Sequence, residues 1–83
     1  MKHRLIAELL RLAYPAPSVP GQMIVSPPPT HAELAARIAS QRETVTRELR
    51  ALEHTGLIGR RHGAIVLLDP GRMRRLVAAA SQG

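Results

Sequence analysis

Ser40-Gln41-Arg42-Glu43-Thr44-Val45-Thr46-Arg47 runs directly into Glu48-Leu49-Arg50-Ala51-Leu52-Glu53-His54-Thr55-Gly56. Val45, Leu49 and Leu52 stand four and three residues apart, so a helix would put them on one apolar face. Positions 42, 43, 46, 47 and 50 fall on the other sides and are all polar or charged. Ser40 followed by Glu43 has the spacing of a capping box, which predicts a helix over 41–55 with Ser40 as its cap. Gly56 is the expected stop, because glycine enters the left-handed conformation that closes a helix at little cost. Thr30-His31-Ala32-Glu33 repeats the capping pattern upstream, and Leu34, Ala35 and Ile38 give the apolar face of a helix over 30–39. Ala39 and Ser40 leave a very tight turn between the two, so the pair reads as helix-turn-helix.

Working outward, residues 57–60 and 64–68 read as two short strands around Arg61-His62-Gly63, a hairpin with a basic tip, or wing. Asp69-Pro70 is a cap followed by a first-turn proline and predicts a last helix. Met73, Leu76 and Val77 would be its packed face, and Arg72, Arg74 and Arg75 its wet one. Near the start, apolar residues at 5, 6, 9, 10 and 12 predict a helix over 3–13, ended by Pro15 and Pro17. Residues 14–21 have loop composition, and residues 22–26 suit a short strand. Pro27-Pro28-Pro29 reads as a stiff, extended lead into the next helix. The expected fold is therefore a single α+β domain over 1–83, mostly helical, a winged helix-turn-helix with a small antiparallel β-hairpin wing.

Composition bounds the function. The 83 residues carry a formal charge of +6, and Lys2 is the sole lysine among 12 basic residues. Arginine is the better bidentate partner for phosphate and for guanine edges, so the bias suits nucleic acid. A GC-rich genome also raises arginine, alanine and proline, so charge alone decides little. Cysteine is absent, which removes disulfides, thiolate metal sites and thiol redox chemistry. No apolar run approaches the roughly 20 residues that cross a bilayer, and Glu8 and Arg11 break the first apolar stretch, so neither a membrane partner nor a secretory signal is expected. The expected location is the cytoplasm. Tyr14 is the one aromatic residue, too few for a surface that stacks unpaired bases. His3, His31, His54 and His62 lack metal-ligand spacing. No nucleophile triad, phosphate-binding glycine loop or carboxylate pair is visible, so neither catalysis nor a cofactor is expected.

The second helix carries the candidate chemistry. Arg42 can present a fork to the O6 and N7 acceptors of guanine, Glu43 can accept from the exocyclic amine of cytosine, and Arg47, one turn on, can reach another guanine or a phosphate. Thr30, Gln41, Thr44, Thr46 and Arg50 suit phosphate, helped by helix N-termini, and Arg61 and His62 suit the backbone that a wing meets. Blander uses stay open. Glu43 could tie back to Ser40 as a cap, Arg47 and Arg50 could pair with Glu43 and Glu53, and Arg72, Arg74 and Arg75 could be solvated surface.

Arg42-Glu43-Thr44-Val45, with Arg47, Leu49, Leu52, Glu53 and Gly56-Leu57-Ile58, resembles the C-terminal DNA-binding domain of the Crp/Fnr family of bacterial transcription regulators. The opening helix, the following loop, the strand at 22–26 and Thr30-His31-Ala32-Glu33-Leu34-Ala35 also fall where that domain has counterparts. The resemblance implies a homodimeric full-length regulator with an N-terminal sensory barrel and a dimerisation helix, whose winged helices read an inverted repeat of double-stranded DNA. It implies base contacts at Arg42, Glu43 and Arg47 in half-sites similar to TGTGA. It also puts residues 14–21 where some members touch RNA polymerase, in location only, since the sequence there matches poorly. Gln41 replaces a serine-like residue and Thr46 a small one, which leaves the half-site open. Neither barrel nor dimer helix lies in these residues, so the chain is expected to be an excised domain or a freestanding remnant, the excised domain being favoured, and monomeric or weakly dimeric alone. Two other readings stand beside sequence-specific DNA binding. One is a winged helix used as a protein-interaction module, which an exposed Leu5, Leu9 and Leu12 patch would favour. The other is non-specific DNA binding, which would keep the salt dependence and lose the sequence preference.

Overall fold

Apolar side chains from every helix meet over one face of a small antiparallel sheet. The structure is a computed structural model and describes residues 2–82. In chain order the elements are α1 (Lys2–Leu12), β1 (Tyr14–Pro15), β2 (Met23–Val25), α2 (His31–Arg37), α3 (Arg42–His54), β3 (Ile58–Arg61), β4 (Ala64–Leu67) and α4 (Pro70–Gln82). The strands are ordered β1-β2-β4-β3, each pair antiparallel.

The apolar spacings read from the sequence become the core. Leu5, Ile6 and Leu9 of α1 are fully buried, as are Leu34 of α2 and Val45 of α3. Leu49, Leu52, Leu57, Ile58, Ile65, Leu67 and Met73 belong to the same cluster, which Val25, Ala35 and Ile38 complete. Leu12, Leu76 and Val77 pack against it half-buried. With Leu5 and Leu9 inside the core, α1 carries no exposed leucine patch of the kind that would favour a protein partner. β4 is buried along its whole length because it is covered twice. Ile65 and Leu67 face the helices, while Ala64 and Val66, alternating with them, lie over a hollow shared with residues 16–18.

Local rules explain most of the boundaries. Thr30 accepts the Glu33 N–H at 3.0 Å and Glu33 Oε1 accepts the Thr30 N–H at 2.8 Å, the full capping box at the start of α2. That amide holds the Glu33 carboxyl below its ordinary range. At the end of α3, Gly56 takes φ 80° and the Leu57 N–H bonds back to Leu52 O at 3.1 Å. Asp69 Oδ1 accepts the Arg72 N–H at 3.1 Å, starting α4 behind Pro70. The wing turns through His62 (φ 52°) and Gly63 (φ 77°) between the paired Arg61 and Ala64, the two positive φ values of a type I′ turn.

Two expectations are corrected. Ser40 is not the cap of α3. Its N–H closes α2 instead, bonding to Ala35 O at 2.8 Å, while Ala39 takes the left-handed φ of 55° and bonds to Ala36 O. That closure uses residues 38–40, so the cap of α3 moves to Gln41, which makes no side-chain capping bond. Residues 14–21 are not all loop. Tyr14 and Pro15 pair with Ile24 and Met23 as an edge strand, where proline's missing N–H can face outward. The Ala16 N–H to Gln22 O bond (3.0 Å) closes this hairpin, and the Tyr14 hydroxyl donates to Ser26 O at 3.2 Å. The peptide that enters the three prolines between β2 and α2, Ser26–Pro27, is cis.

Candidate nucleic-acid interface

α3 presents two unlike faces. Val45, Leu49 and Leu52 go into the core, and Arg42, Glu43, Thr46, Arg47 and Arg50 line one shallow open hollow on the other side. This follows from the helical period: 42, 46 and 50 stand one turn apart, as do 43 and 47. Three guanidinium groups therefore share the hollow with one carboxylate.

These charged groups are not consumed by one another. Among the described residues, the side chains of Arg42, Glu43, Arg47 and Arg50 make no hydrogen bond or ion pair. With Gln41 as N-cap, Glu43 occupies the second helical position rather than the third, and the capping use read from the sequence is geometrically gone. Glu53 pairs with Arg60 of β3 at 3.2 Å, not with Arg47 or Arg50, and so ties the wing strand to α3. The uncapped first turn of α3 also leaves amide N–H groups without a side-chain acceptor, next to Arg42.

The remaining expected residues fall in three places. Thr30 sits at the N-terminus of α2, its oxygen accepting a backbone N–H and its own proton still available. Gln41 is exposed and Thr44 half-buried at the start of α3. Thr46 has its hydroxyl engaged internally, 3.0 Å from Arg42 O and 2.6 Å from His31 Nδ1. Arg61 and His62 are exposed at the wing tip but line a separate hollow with Ala16, Pro17 and Ser18, so they do not join the α3 cluster.

Two features were not read from the sequence. His31 reaches across from α2 to Thr46, and a polar clasp joins α1 to the end of α2. In the clasp Glu8 accepts from Arg11 (2.6 Å) and Arg37 (3.1 Å), and Arg4 donates to Ile38 O at 3.2 Å. The hydrogen bond from Arg11, then its charge and that of Arg37, hold the Glu8 carboxyl below its ordinary range against the effect of burial. Only the Glu8–Arg11 spacing of three is visible in the sequence. Among the described residues no three His, Asp or Glu side chains gather as a metal site, and no helix is long and apolar enough to cross a membrane.

Known proteins share this fold. Over its full length the chain is 36% identical, across 85 aligned positions, to the transcriptional regulator SdrP of Thermus thermophilus, covering 41% of that protein. The crystal structure of TTHA1359, a transcriptional regulator of the CRP/FNR family from Thermus thermophilus, matches 94% of the chain with a TM-score of 0.72 and 35% identity. The structure of TTHB099, a CRP-family regulator from the same organism, matches 93% with a TM-score of 0.74 and 27% identity. In both structures the match covers 40% of the solved chain, so the present chain spans about two fifths of these relatives. The family model of the Crp-like helix-turn-helix domain matches residues 3–76, and the chain belongs to that family.

Proposed function

We propose that this chain is the sequence-specific, double-stranded DNA-reading part of a transcription regulator. α3 enters the major groove, α2 braces it, and Arg42, Glu43 and Arg47 meet base edges. Thr30, Gln41, Thr44 and Arg50 meet phosphate around the helix ends, and Arg61 and His62 meet the backbone beside the wing. The observation that carries this reading is the exposed, mutually unpaired Arg42, Glu43 and Arg47 cluster at an uncapped helix N-terminus. A merely solvated face would be expected to pair its charges along the helix, as Glu8 and Arg11 do on α1. In a longer regulator two copies would read an inverted repeat, each head adding avidity to the other. Residues 14–21 would then be available to RNA polymerase.

Fluorescence anisotropy tests this on a duplex carrying a TGTGA-type inverted repeat and on a scrambled duplex, across a salt series. Tighter binding to the repeat that persists as salt rises supports base readout. Arg42→Ala should then relax preference at one base pair by about 1–3 kcal/mol. Arg61→Ala should weaken both duplexes alike and reduce the salt slope by about one. Equal losses for both variants on every duplex would overturn the base-reading assignment. Equal, steeply salt-dependent binding to both duplexes calls for selection from a random duplex pool. If selection also finds no preferred site, the protein is a phosphate binder. No binding at low salt would favour a protein-interaction module.

A further inference from the structure

The double engagement of Thr46 has a direction. Its hydroxyl oxygen lies 3.0 Å from Arg42 O, and a carbonyl oxygen can only accept, so the single hydroxyl proton goes there. With the hydroxyl proton placed on Arg42 O, the Nδ1–H tautomer of His31, 2.6 Å away, is the one that completes the arrangement by donating to Thr46 Oγ1. Donation runs from the first turn of α2, through Thr46, to the backbone of the first residue of α3. In this arrangement Thr46 has no proton left for a phosphate.

The two ends of this relay differ in what holds them. The start of α2 is fixed by the capping box of Thr30 and Glu33, directly next to His31. The start of α3 has no side-chain cap, since Gln41 makes no such bond. An uncapped first turn is the part of a helix most prone to fray. Arg42 is in that turn, and a two-pronged contact with guanine needs its backbone in one pose. Attraction to phosphate tolerates many poses.

We propose that His31, acting through Thr46, is a positioning residue that lends the order of the capped α2 start to the uncapped α3 start. Its role is to hold Arg42 for base discrimination rather than to grip phosphate. The inference rests on α3 reading bases, as proposed above.

The test begins by selecting a preferred duplex for the unaltered chain from a random pool. The ratio of its affinities for that duplex and a scrambled one is then measured for His31→Ala, Thr46→Val, the double variant and His31→Asn. His31→Ala and Thr46→Val should each lower the ratio about three- to tenfold, the worth of one hydrogen bond, mainly through the preferred duplex. The double variant should lose no more than the worse single one, because both break the same relay. His31→Asn puts an amide N–H close to where Nδ1 stood and should restore most of the ratio. Circular dichroism at the assay temperature establishes that each variant is folded; Thr46→Val, nearly unchanged in shape, carries the test if His31→Ala is not. An unmoved ratio, additive losses or an asparagine no better than alanine would overturn the proposal. An unaltered chain without any preferred duplex would instead overturn the reading of α3 on which it rests, so the two failures are distinguishable.

Discussion

Ala39→Gly should stabilise this protein, against the usual direction for a glycine substitution. Ala39 ends α2 at φ 55°, with its N–H bonded to Ala36 O and the following Ser40 N–H bonded to Ala35 O. That geometry belongs to the C-terminal closure of a helix, where glycine is the favoured residue. A β-carbon held in the left-handed region costs about 1–2 kcal/mol, which glycine would relieve. Glycine also widens the unfolded ensemble, which takes back about 0.4–1 kcal/mol. Ala39 is exposed, so its methyl group contributes little burial. The net gain should be about 0.8 kcal/mol, or a rise of about 3–6 °C in Tm for a domain of this size. Urea and thermal unfolding followed by circular dichroism measure it. Ala36→Gly is the control: Ala36 is exposed but helical, so glycine there should cost about 1 kcal/mol. Two variants three residues apart should therefore move stability in opposite directions. Destabilisation of the Ala39 variant by as much as its control would refute the assignment of the turn.

Thr30→Ala removes the capping box and should cost about 1 kcal/mol in chemical denaturation; Thr30→Ser should recover most of it. Glu8 has a lowered carboxyl pKa, so its pairing contributes fully above about 4.5 and is lost as pH falls through the lower folded value. Glu8→Gln should thus flatten part of the acid loss of stability in a pH series of urea midpoints, leaving the part due to Glu33, whose pKa is also lowered. Leu49→Ala, at a side chain 1% exposed between α3 and the core, should cost about 2–5 kcal/mol and leave the domain largely unfolded on mild heating.

What is legible in the sequence is what neighbouring residues decide among themselves. The Thr30–Glu33 capping box, the Gly56 stop, the Asp69-Pro70 start and the basic hairpin each need only a few consecutive residues, and each lies where expected. Ser40 misleads because its pattern fits two competing uses. Whether its amide closes α2 or its hydroxyl caps α3 depends on how sharply the chain must turn to lay both helices on one core. β1 is hidden because Pro15 argues against a strand unless it lies at a sheet edge, and edge position is a property of the whole sheet. In the candidate site, the exposed residues of α3 follow from helical period alone. The His31–Thr46 contact, 15 residues apart, and the Glu8–Arg37 pair, 29 apart, are products of packing and leave no mark in spacing.

β4 is shared between the wing and the opening hairpin, and this governs how the molecule can deform. Strand by strand, β3 hangs on β4, β4 on β2, and β2 on β1. The wing is therefore not a free flap hinged at its base. Bending its tip would strain the ladder between Val66 and Ile24 and displace the apolar side chains of Ile65 and Leu67 from the core. The amides of β4 should accordingly exchange with solvent as slowly as those of the buried helices, through global rather than local opening. A tip held this firmly keeps a fixed reach from α3, so its separation from the helix works as a ruler rather than an adjustable arm. Any duplex that touches both must supply that separation itself, by its own curvature and groove width.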